Sequence, residues 1–319
     1  MDNFNNLIDI IRGSLPIIQP GISALVGSFV TSMFLRGNTR RAEFEKIKVG
    51  KVGEAIDDLR NRGELTLTEL VKCKNLIEIA KLADVEYSKY KNVQENECHT
   101  KEFCFDWFVR FFEAAGNVND DDMQQLWAKV LAGEFDSPGS FTLRTIDVLY
   151  NLTRNEAKLF EQIAPFVVTT LGGRPFITDM LNDFALPALR KFGFDTREIL
   201  LLQDSNLLTE SRYHEYLKED ERELPLTIEN GEYQICMEAK RIDKSLTIIM
   251  GRCELTNAGQ QIMRIMRVKP NNDYLFMLAK NIKEKFSSDY YVSVFKAEDD
   301  GNDDVSYNEN EDMLSIQNH

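Results

Sequence analysis

The strongest constraint on the fold is the helical periodicity of residues 101–133. Apolar side chains recur there at the i, i+3, i+4 and i+7 positions that share one helix face. The first such face consists of Cys104, Trp107, Phe108, Phe111, Phe112 and Ala115, and the second consists of Met123, Leu126, Trp127, Val130 and Leu131. Gly116-Asn117 ends the first helix and Gly133 the second. The pattern predicts two helices that bury these faces together.

Capping patterns predict where these and further helices begin. Thr66 and Thr153 each stand three residues before a Glu, the capping-box spacing in which the two side chains satisfy the first amides of a helix. The first box predicts a helix to about Tyr90, and the second predicts a helix to about Ala164. The inner face of the first is predicted to comprise Leu70, Cys73, Ile77 and Ala80.

The connection before residue 121 is rich in acids that suit a helix start. Asn119 is the predicted cap, and Asp120, Asp121 and Asp122 follow in the first turn, where the helix dipole favours carboxylates. The turn Ser137-Pro138-Gly139 precedes a further helix predicted to start near Ser140. Residues 67–171 are therefore predicted to form a bundle of helical hairpins.

Beyond Gly172-Gly173 the pattern changes to mixed helix and strand. Helices are predicted over 177–191, 196–205, 257–266 and 272–286, and strands over 207–210, 225–228, 232–237, 246–250 and 290–295. Asn230-Gly231 predicts a two-residue hairpin turn with positive φ at both residues. The fold class is therefore mainly α, a helical-hairpin bundle followed by a winged-helix-like α+β module at 172–296.

Charge argues against a nucleic-acid partner for that module. The chain has a net charge of −14, whereas phosphate binding needs clustered Lys and Arg. The helix in the recognition position, 196–205, carries one Arg, two acids and several Leu. Eight carboxylates fall between Glu298 and Asp312, so residues 297–319 are predicted to be a disordered acidic tail.

The N-terminal segment at residues 15–35 has two possible structural interpretations. Residues 15–35 carry no charge and are followed by Arg36, Arg40 and Arg41, which is typical of a membrane helix with a cytoplasmic C-terminal end. Small residues that would let such helices approach closely are Gly21, Ser23, Ala24, Gly27, Ser28 and Ser32. Pro16 and Pro20 shorten the helix, so a buried or self-associating helix fits as well. Residues 36–66 are predicted to be a charged helical linker.

No motif for catalysis, cofactor binding or metal binding is present. The P-loop, dinucleotide, nucleophile-elbow and zincin patterns are absent. Cys98, His99 and Cys104 fall short of the four ligands of a structural zinc site. Five cysteines without a C-x-x-C pattern indicate a reducing compartment, hence the cytoplasm or the cytoplasmic side of the inner membrane. The sequence therefore predicts no catalytic, cofactor-binding or metal-binding residues.

Residues 121–141 carry a family resemblance. Asp121–Glu134, Ser137–Phe141 and Arg144-Thr145 resemble an uncharacterised bacterial family classed only as a domain of unknown function. The Leu126-Trp127-Ala128 core with Leu131-Ala132, followed by Leu152 and Glu156-Ala157, is also distantly similar to the Abi-alpha group, which is associated with abortive infection of phage-attacked cells. The residues singled out are Trp107, Trp127, Glu134, Pro138, Gly139, Arg144 and Thr145. We expect Trp127 to anchor the core and Arg144 to pair with Glu134 or to contact a ligand.

The resemblance implies a role in anti-phage defence or a similar stress response. We expect a non-enzymatic effector or sensor, which is associated with the inner membrane if residues 15–35 form a membrane helix. The expected partners are further copies of the chain and a phage or host protein trigger. One alternative is a cytosolic oligomeric interaction or regulatory module. A second is an unrecognised enzyme, such as a nuclease whose acidic residues are dispersed along the sequence.

Overall fold

The structure is a computed structural model that describes residues 61–63, 66–90, 105–170, 173–178, 187–216, 226–240, 247–298 and 306–307. The chain divides into two compact units, residues 1–150 and residues 151–319. Across the described ranges the fold is mainly helical with small antiparallel sheets, as the sequence predicts. Within those same ranges, no helix combines the length and the apolar character needed to cross a membrane.

Four helices build the described part of the first unit. They are α1 (Leu67–Tyr90), α2 (Phe105–Ala115), α3 (Asp121–Asp136) and α4 (Leu143–Asn151). Helix α1 packs mainly against α3. The predicted capping box at its start is confirmed, because Glu69 accepts a hydrogen bond of 2.7 Å from the Thr66 hydroxyl and also accepts from the Thr66 amide.

The predicted inner face of α1 is confirmed at Cys73 and is wrong at its other three residues. The side chains that α1 buries are Cys73, Leu76, Ile79 and Ala83, whereas Leu70, Ile77 and Ala80 are only half-buried. Asn75 is also buried, and its side-chain amide donates to the Gly116 carbonyl and to the Asn119 amide oxygen, both at 3.0 Å. Counting apolar residues treats Asn75 as a surface residue, although this polar network brings it inside.

The ends of α3 also differ from the prediction. Asp120, not Asn119, is the cap, because its carboxylate accepts from the Met123 amide at 3.1 Å. Asn119 instead accepts the hydrogen bond from Asn75. The helix continues past Gly133 to Asp136, and α4 begins at Leu143 rather than near Ser140.

The second unit contains four further helices among its described residues. They are α5 (Arg154–Ile163), α6 (Thr196–Asp204), α7 (Asn257–Met266) and α8 (Asn272–Phe286), with short 3-10 helices at Ala164–Phe166 and Pro187–Phe192. The predicted bounds of α7 and α8 are confirmed, and so is the capping box from Thr153 to Glu156 at the start of α5.

Two antiparallel sheets complete this unit. The first has the order β1-β5-β2 and the second β3-β4-β6-β7. The strands are β1 (Phe176–Thr178), β2 (Leu208–Tyr216), β3 (Leu226–Glu229), β4 (Tyr233–Ala239), β5 (Thr247–Leu255), β6 (Tyr290–Glu298) and β7 (Ser306–Tyr307). Single bridges from Val168 to Phe176 and from Thr169 to Glu229 link the segment after α5 to both sheets.

Strand β1 overturns part of a predicted helix. Residues 177–191 were expected to be helical, but Ile177 and Thr178 pair with Cys253 and Arg252 of β5. The Thr178 amide also donates to the Tyr274 hydroxyl of α8 at 3.0 Å. These contacts are tertiary and involve residues far along the chain. The hydrophobic pattern within residues 177–191 carries no information about them, so it could not predict the strand.

The hairpin at Asn230-Gly231 is confirmed, but its predicted turn type is wrong. Gly231 has a positive φ of 89°, whereas Asn230 does not appear among the residues with positive φ. The Asn230 side chain instead accepts hydrogen bonds from the amides of Glu232 and Tyr233. The turn is therefore closed by this side chain, between the pair Glu229 and Gln234.

Candidate functional site

Both tryptophans lie in the aromatic core of the first unit. Trp107 and Phe111 are stacked at 5.1 Å between ring centroids, and Phe111 meets Trp127 edge-on at 5.2 Å. Trp127 is fully buried and Trp107 nearly so. These positions agree with a core-anchoring role, since aromatic rings contribute large buried area and favourable ring contacts.

Glu134 organises the loop between α3 and α4. Its carboxylate is 2% exposed, and it accepts hydrogen bonds from the amides of Gly139 at 2.7 Å and Phe141 at 3.0 Å. Pro138 is buried and Gly139 has a φ of +84°, the geometry of a type II turn with Pro and Gly at its centre. Glu134, Pro138 and Gly139 are thus brought together as one loop-shaping set.

The expected pair between Arg144 and Glu134 does not form. The Arg144 side chain is exposed, and none of the ion pairs found within the described ranges joins it to Glu134. The backbone amides of the loop already occupy the Glu134 oxygens. Thr145 is fully buried, with its hydroxyl 3.0 Å from the Thr142 hydroxyl, so it helps to start α4.

A different surface stands out in the second unit, on α6. The buried side of this helix carries Ile199 and Leu202. Its outward side carries four exposed residues at i, i+3, i+4 and i+7, which we call the α6 face: Arg197, Leu200, Leu201 and Asp204. Leu200 is 50% exposed and Leu201 is 40% exposed, so the centre of the α6 face is apolar.

Charges around the α6 face are balanced. The Asp195 carboxylate caps the helix by accepting a 2.7 Å hydrogen bond from the Arg197 amide, and the Glu198 carboxylate accepts one of 2.9 Å from the Asp195 amide. The hydrogen bond from the Arg197 amide makes the largest contribution to lowering the pKa of Asp195. A side-chain hydrogen bond with Glu198 comes next, and the positive charges of Arg197 and Arg190 contribute less. The cations here are Arg190, Lys191 and Arg197, and the anions are Asp195, Glu198 and Asp204. The surface therefore has no excess positive charge for phosphates.

Two buried thiols are poor nucleophiles. Burial raises the pKa of Cys253 to about 11, although Gln203 donates a hydrogen bond to its sulfur at 3.5 Å. Burial also raises the pKa of Cys73, and the nearby Glu69 charge adds to this. Both thiols stay protonated at neutral pH, and the thiolate is the reactive form. Across the described residues, no three His, Cys, Asp or Glu side chains cluster closely enough to hold a metal ion.

Several predicted features lie outside the described residues. They include the segment 15–35 with its small residues Gly21, Ser23, Ala24, Gly27, Ser28 and Ser32, most of the linker at 36–66, the cysteines Cys98 and Cys104, and most of the tail at 297–319.

The sequence signal for the α6 face was present but was used only against DNA binding. The run Leu200-Leu201-Leu202 exceeds what a helix buries on one side, so at least one Leu must face outward. The turn Ser137-Pro138-Gly139 was predicted from its residues. The burial of Glu134 and its hydrogen bonds to that loop had no comparable signal, because a lone Glu near a helix end is usually solvated.

The described residues define a mainly helical protein of two units with two notable features. The first unit has a loop whose amides donate hydrogen bonds to the buried Glu134, and the second unit has the exposed, apolar α6 face. The chain belongs to the DUF2806 family, described as a protein of unknown function, whose family model matches residues 60–279. The match spans both features and ends within α8. No curated protein and no solved structure has significant similarity to the chain.

Proposed function

We propose that this protein is a non-enzymatic component of an anti-phage, abortive-infection-like response, and that it acts by binding another protein through the α6 face. The observation that carries the proposal is the pair of exposed leucines at the centre of that face. Adjacent exposed leucines on a well-capped helix are suited to a protein partner, which can bury them. The defence setting comes from the resemblance of residues 126–132 and 152–157 to the Abi-alpha group.

The topology supports assigning the α6 face an outward, partner-binding position. Helix α6 lies between β1 and β2 along the chain, and the three-stranded sheet has the order β1-β5-β2, with β3 and β4 of the other sheet inserted between β2 and β5. This arrangement resembles a winged-helix module, in which the helix before the paired strands is the one that meets a ligand. In DNA-binding members of that class the helix would present basic and polar groups to the groove. Here the same position presents leucines between one Arg and one Asp, which favours a protein over DNA.

The decisive experiment compares phage infection of cells that carry different forms of the protein. We expect the natural protein to lower the efficiency of plating of at least one phage, and Leu200→Glu with Leu201→Glu to abolish that protection. Both leucines are exposed, so the change should leave the fold intact, which circular dichroism checks. Leu143→Glu is the matched control, because Leu143 is 44% exposed on α4 in the other unit.

Two outcomes contradict the proposal. If the natural protein protects against no phage in a broad panel, the defence role is wrong. If the double variant protects as well as the natural protein, the α6 face is not the binding surface. Equal loss in the Leu143→Glu control would likewise remove the specific role of α6.

Membrane association remains part of the proposed function and rests on the sequence pattern of residues 15–35. We expect the full-length protein to sediment with membranes and to need detergent, and a form lacking residues 1–35 to stay in the supernatant. If both forms stay in the supernatant, the alternative of a cytosolic interaction module is favoured. Sedimentation of both forms would contradict attachment through residues 15–35.

A further inference from the structure

We propose that the partner of the α6 face is a second copy of this chain, which binds through its own α6 face with the two helices antiparallel about a two-fold axis. The inference rests on the proposed role of the α6 face as a protein-binding surface, and it names the partner of that surface. It is carried by the order of charged and apolar side chains along α6, which brings opposite charges together when the face meets itself.

The α6 face is complementary to its own reverse. Arg197 and Asp204 stand at its two ends, and Leu200 and Leu201 stand between them. When two such helices run antiparallel about an axis between the leucines, position 197 meets position 204 of the second copy, and position 200 meets position 201. Each contact occurs twice in a two-fold interface. Packed helices have axes about 8–10 Å apart, a distance that the long Arg197 side chain can bridge.

The end charges of the α6 face oppose the dipole of their own helix. Arg197 lies in the first turn of α6, at the positive end of the dipole, and Asp204 is the last residue, at the negative end. In the antiparallel pair, Arg197 lies beside the C-terminal end of the second helix and Asp204 lies beside its N-terminal end. Both charges then meet a favourable dipole. A second copy therefore accounts for charges that the isolated helix does not explain.

Both end charges are accessible to a partner. Arg197 and Asp204 are exposed, and no ion pair within the described ranges includes either side chain. The Arg197 charge helps to lower the pKa of the nearby Asp195 carboxyl, but that carboxylate already accepts from the Arg197 backbone amide. The next symmetric positions, Glu198 and Gln203, are half-buried and hydrogen-bonded within the second unit. The pairing therefore brings no like charges together.

The same charges disfavour a parallel pairing of the two faces. That arrangement would set Arg197 against Arg197 of the second copy and Asp204 against Asp204, and it would align the helix dipoles unfavourably. A helix of nine residues contributes less contact area than a permanent dimer interface has. We therefore expect a weak antiparallel dimer whose population rises with protein concentration.

Charge-reversal variants of the full-length protein test the pairing. Sedimentation equilibrium is measured over about a hundredfold range of concentration, in density-matched detergent if the protein needs it. Arg197→Asp and Asp204→Arg each set like charges opposite one another in the homodimer, so we expect each to raise the dissociation constant about tenfold or more. Both changes suit the dipole of α6 and should leave it folded. Lys280→Asp is the matched control, because it makes the same charge change as Arg197→Asp at an exposed site on α8.

Restoring opposite charges should restore the dimer. We expect the double variant, Arg197→Asp with Asp204→Arg, to associate within about threefold of the natural protein. A mixture of the two single variants should also dimerise, as a heterodimer, because each chain supplies the charges that the other lacks. A structural role of either residue would give no such rescue. Failure of the double variant to associate would overturn the antiparallel pairing.

The remaining outcomes separate this inference from the proposed function. Association through another segment would be equal in every form, so equal association of the natural protein, Arg197→Asp and Leu200→Glu with Leu201→Glu overturns the inference. A natural protein that stays monomeric while the leucine variant loses phage protection also overturns it, because the α6 face then binds a different protein. If the charge series behaves as expected but no phage is restricted, the second copy is supported and the defence role is wrong.

Discussion

At the scale of single residues, Glu134 is the most informative position, because it combines burial with full use of its acceptors. Its two oxygens receive the amides of Gly139 and Phe141 within the same loop. A buried carboxylate without such donors would be costly in free energy. The side chain therefore defines the connection from α3 to α4 more than any apolar contact does.

Glu134→Gln should destabilise the first unit. The substitution keeps the shape but replaces one oxygen with an amide group, which cannot accept from a backbone N–H. We expect the free energy of unfolding to fall by about 1–3 kcal/mol, the cost of one buried donor left unsatisfied. Urea unfolding measures it, with Glu113→Gln on the exposed side of α2 as the control. A loss as small as that of the control would contradict the structural role.

The contribution of Glu134 to the free energy of unfolding should also depend on pH. Burial raises the pKa of this carboxyl from its ordinary value of 4.5, and the backbone hydrogen bonds from the loop offset only part of the rise. A raised pKa means that the folded state favours the protonated form, so this contribution to stability is complete below the ordinary pKa and is lost as pH rises through the raised value. We expect the stability difference between the natural protein and Glu134→Gln to narrow as the pH rises above the ordinary pKa of 4.5. A widening difference would contradict the direction.

At the scale of elements, Gly259 brings α7 very close to the backbone of Leu207, the residue that precedes β2. A Cβ on Gly259 would lie 2.3 Å from the Leu207 carbonyl oxygen, and the Leu207 carbonyl also accepts from the Thr256 amide at 3.0 Å. The close approach requires glycine here, although glycine within a helix usually lowers stability.

Gly259→Ala should therefore reverse the usual sign of a glycine-to-alanine change in a helix. At an ordinary helix position the change would stabilise by about 0.5–1 kcal/mol. We expect it instead to destabilise by about 1–3 kcal/mol, because the methyl group forces α7 away from β2. Thermal unfolding followed by circular dichroism measures it, with Arg264→Ala on the exposed side of α7 as the control. A raised midpoint for Gly259→Ala would contradict the close packing.

The elements that sequence predicted well are those whose signals are local. Helices α7 and α8 have a cap, an apolar stripe and a stop within their own span, and both were predicted to the residue. Strand β1 was missed because its partners lie in β5 and α8, far along the chain. The inner face of α1 was misplaced because a buried Asn75 network, not apolar spacing, sets its rotation. The α6 face could be inferred in part from its run of leucines. In the Glu134 loop the turn at Ser137-Pro138-Gly139 could be predicted, whereas the hydrogen bonds from the loop to the buried Glu134 could not.

At the scale of the whole molecule, net charge should dominate encounters with nucleic acid. The chain carries −14 formal charges, and the α6 face has equal numbers of cations and anions around it. We expect no duplex DNA binding at about 150 mM salt, and no affinity that climbs steeply as salt is lowered. Fluorescence anisotropy with a labelled duplex measures this. Binding to DNA that depends steeply on salt would contradict this prediction and would favour a DNA-binding function for the winged-helix-like module.

The placement of the two tryptophans gives the protein a natural optical probe. Trp107 and Trp127 are the chain's only tryptophans, and both contact Phe111 in the first unit, Trp107 by stacking and Trp127 edge-on. Emission excited selectively from tryptophan therefore reports the packing of that unit alone. A label introduced on a single-cysteine background in the second unit would add an independent signal. One titration could then follow the two halves of the chain separately while the concentration of a binding partner is raised.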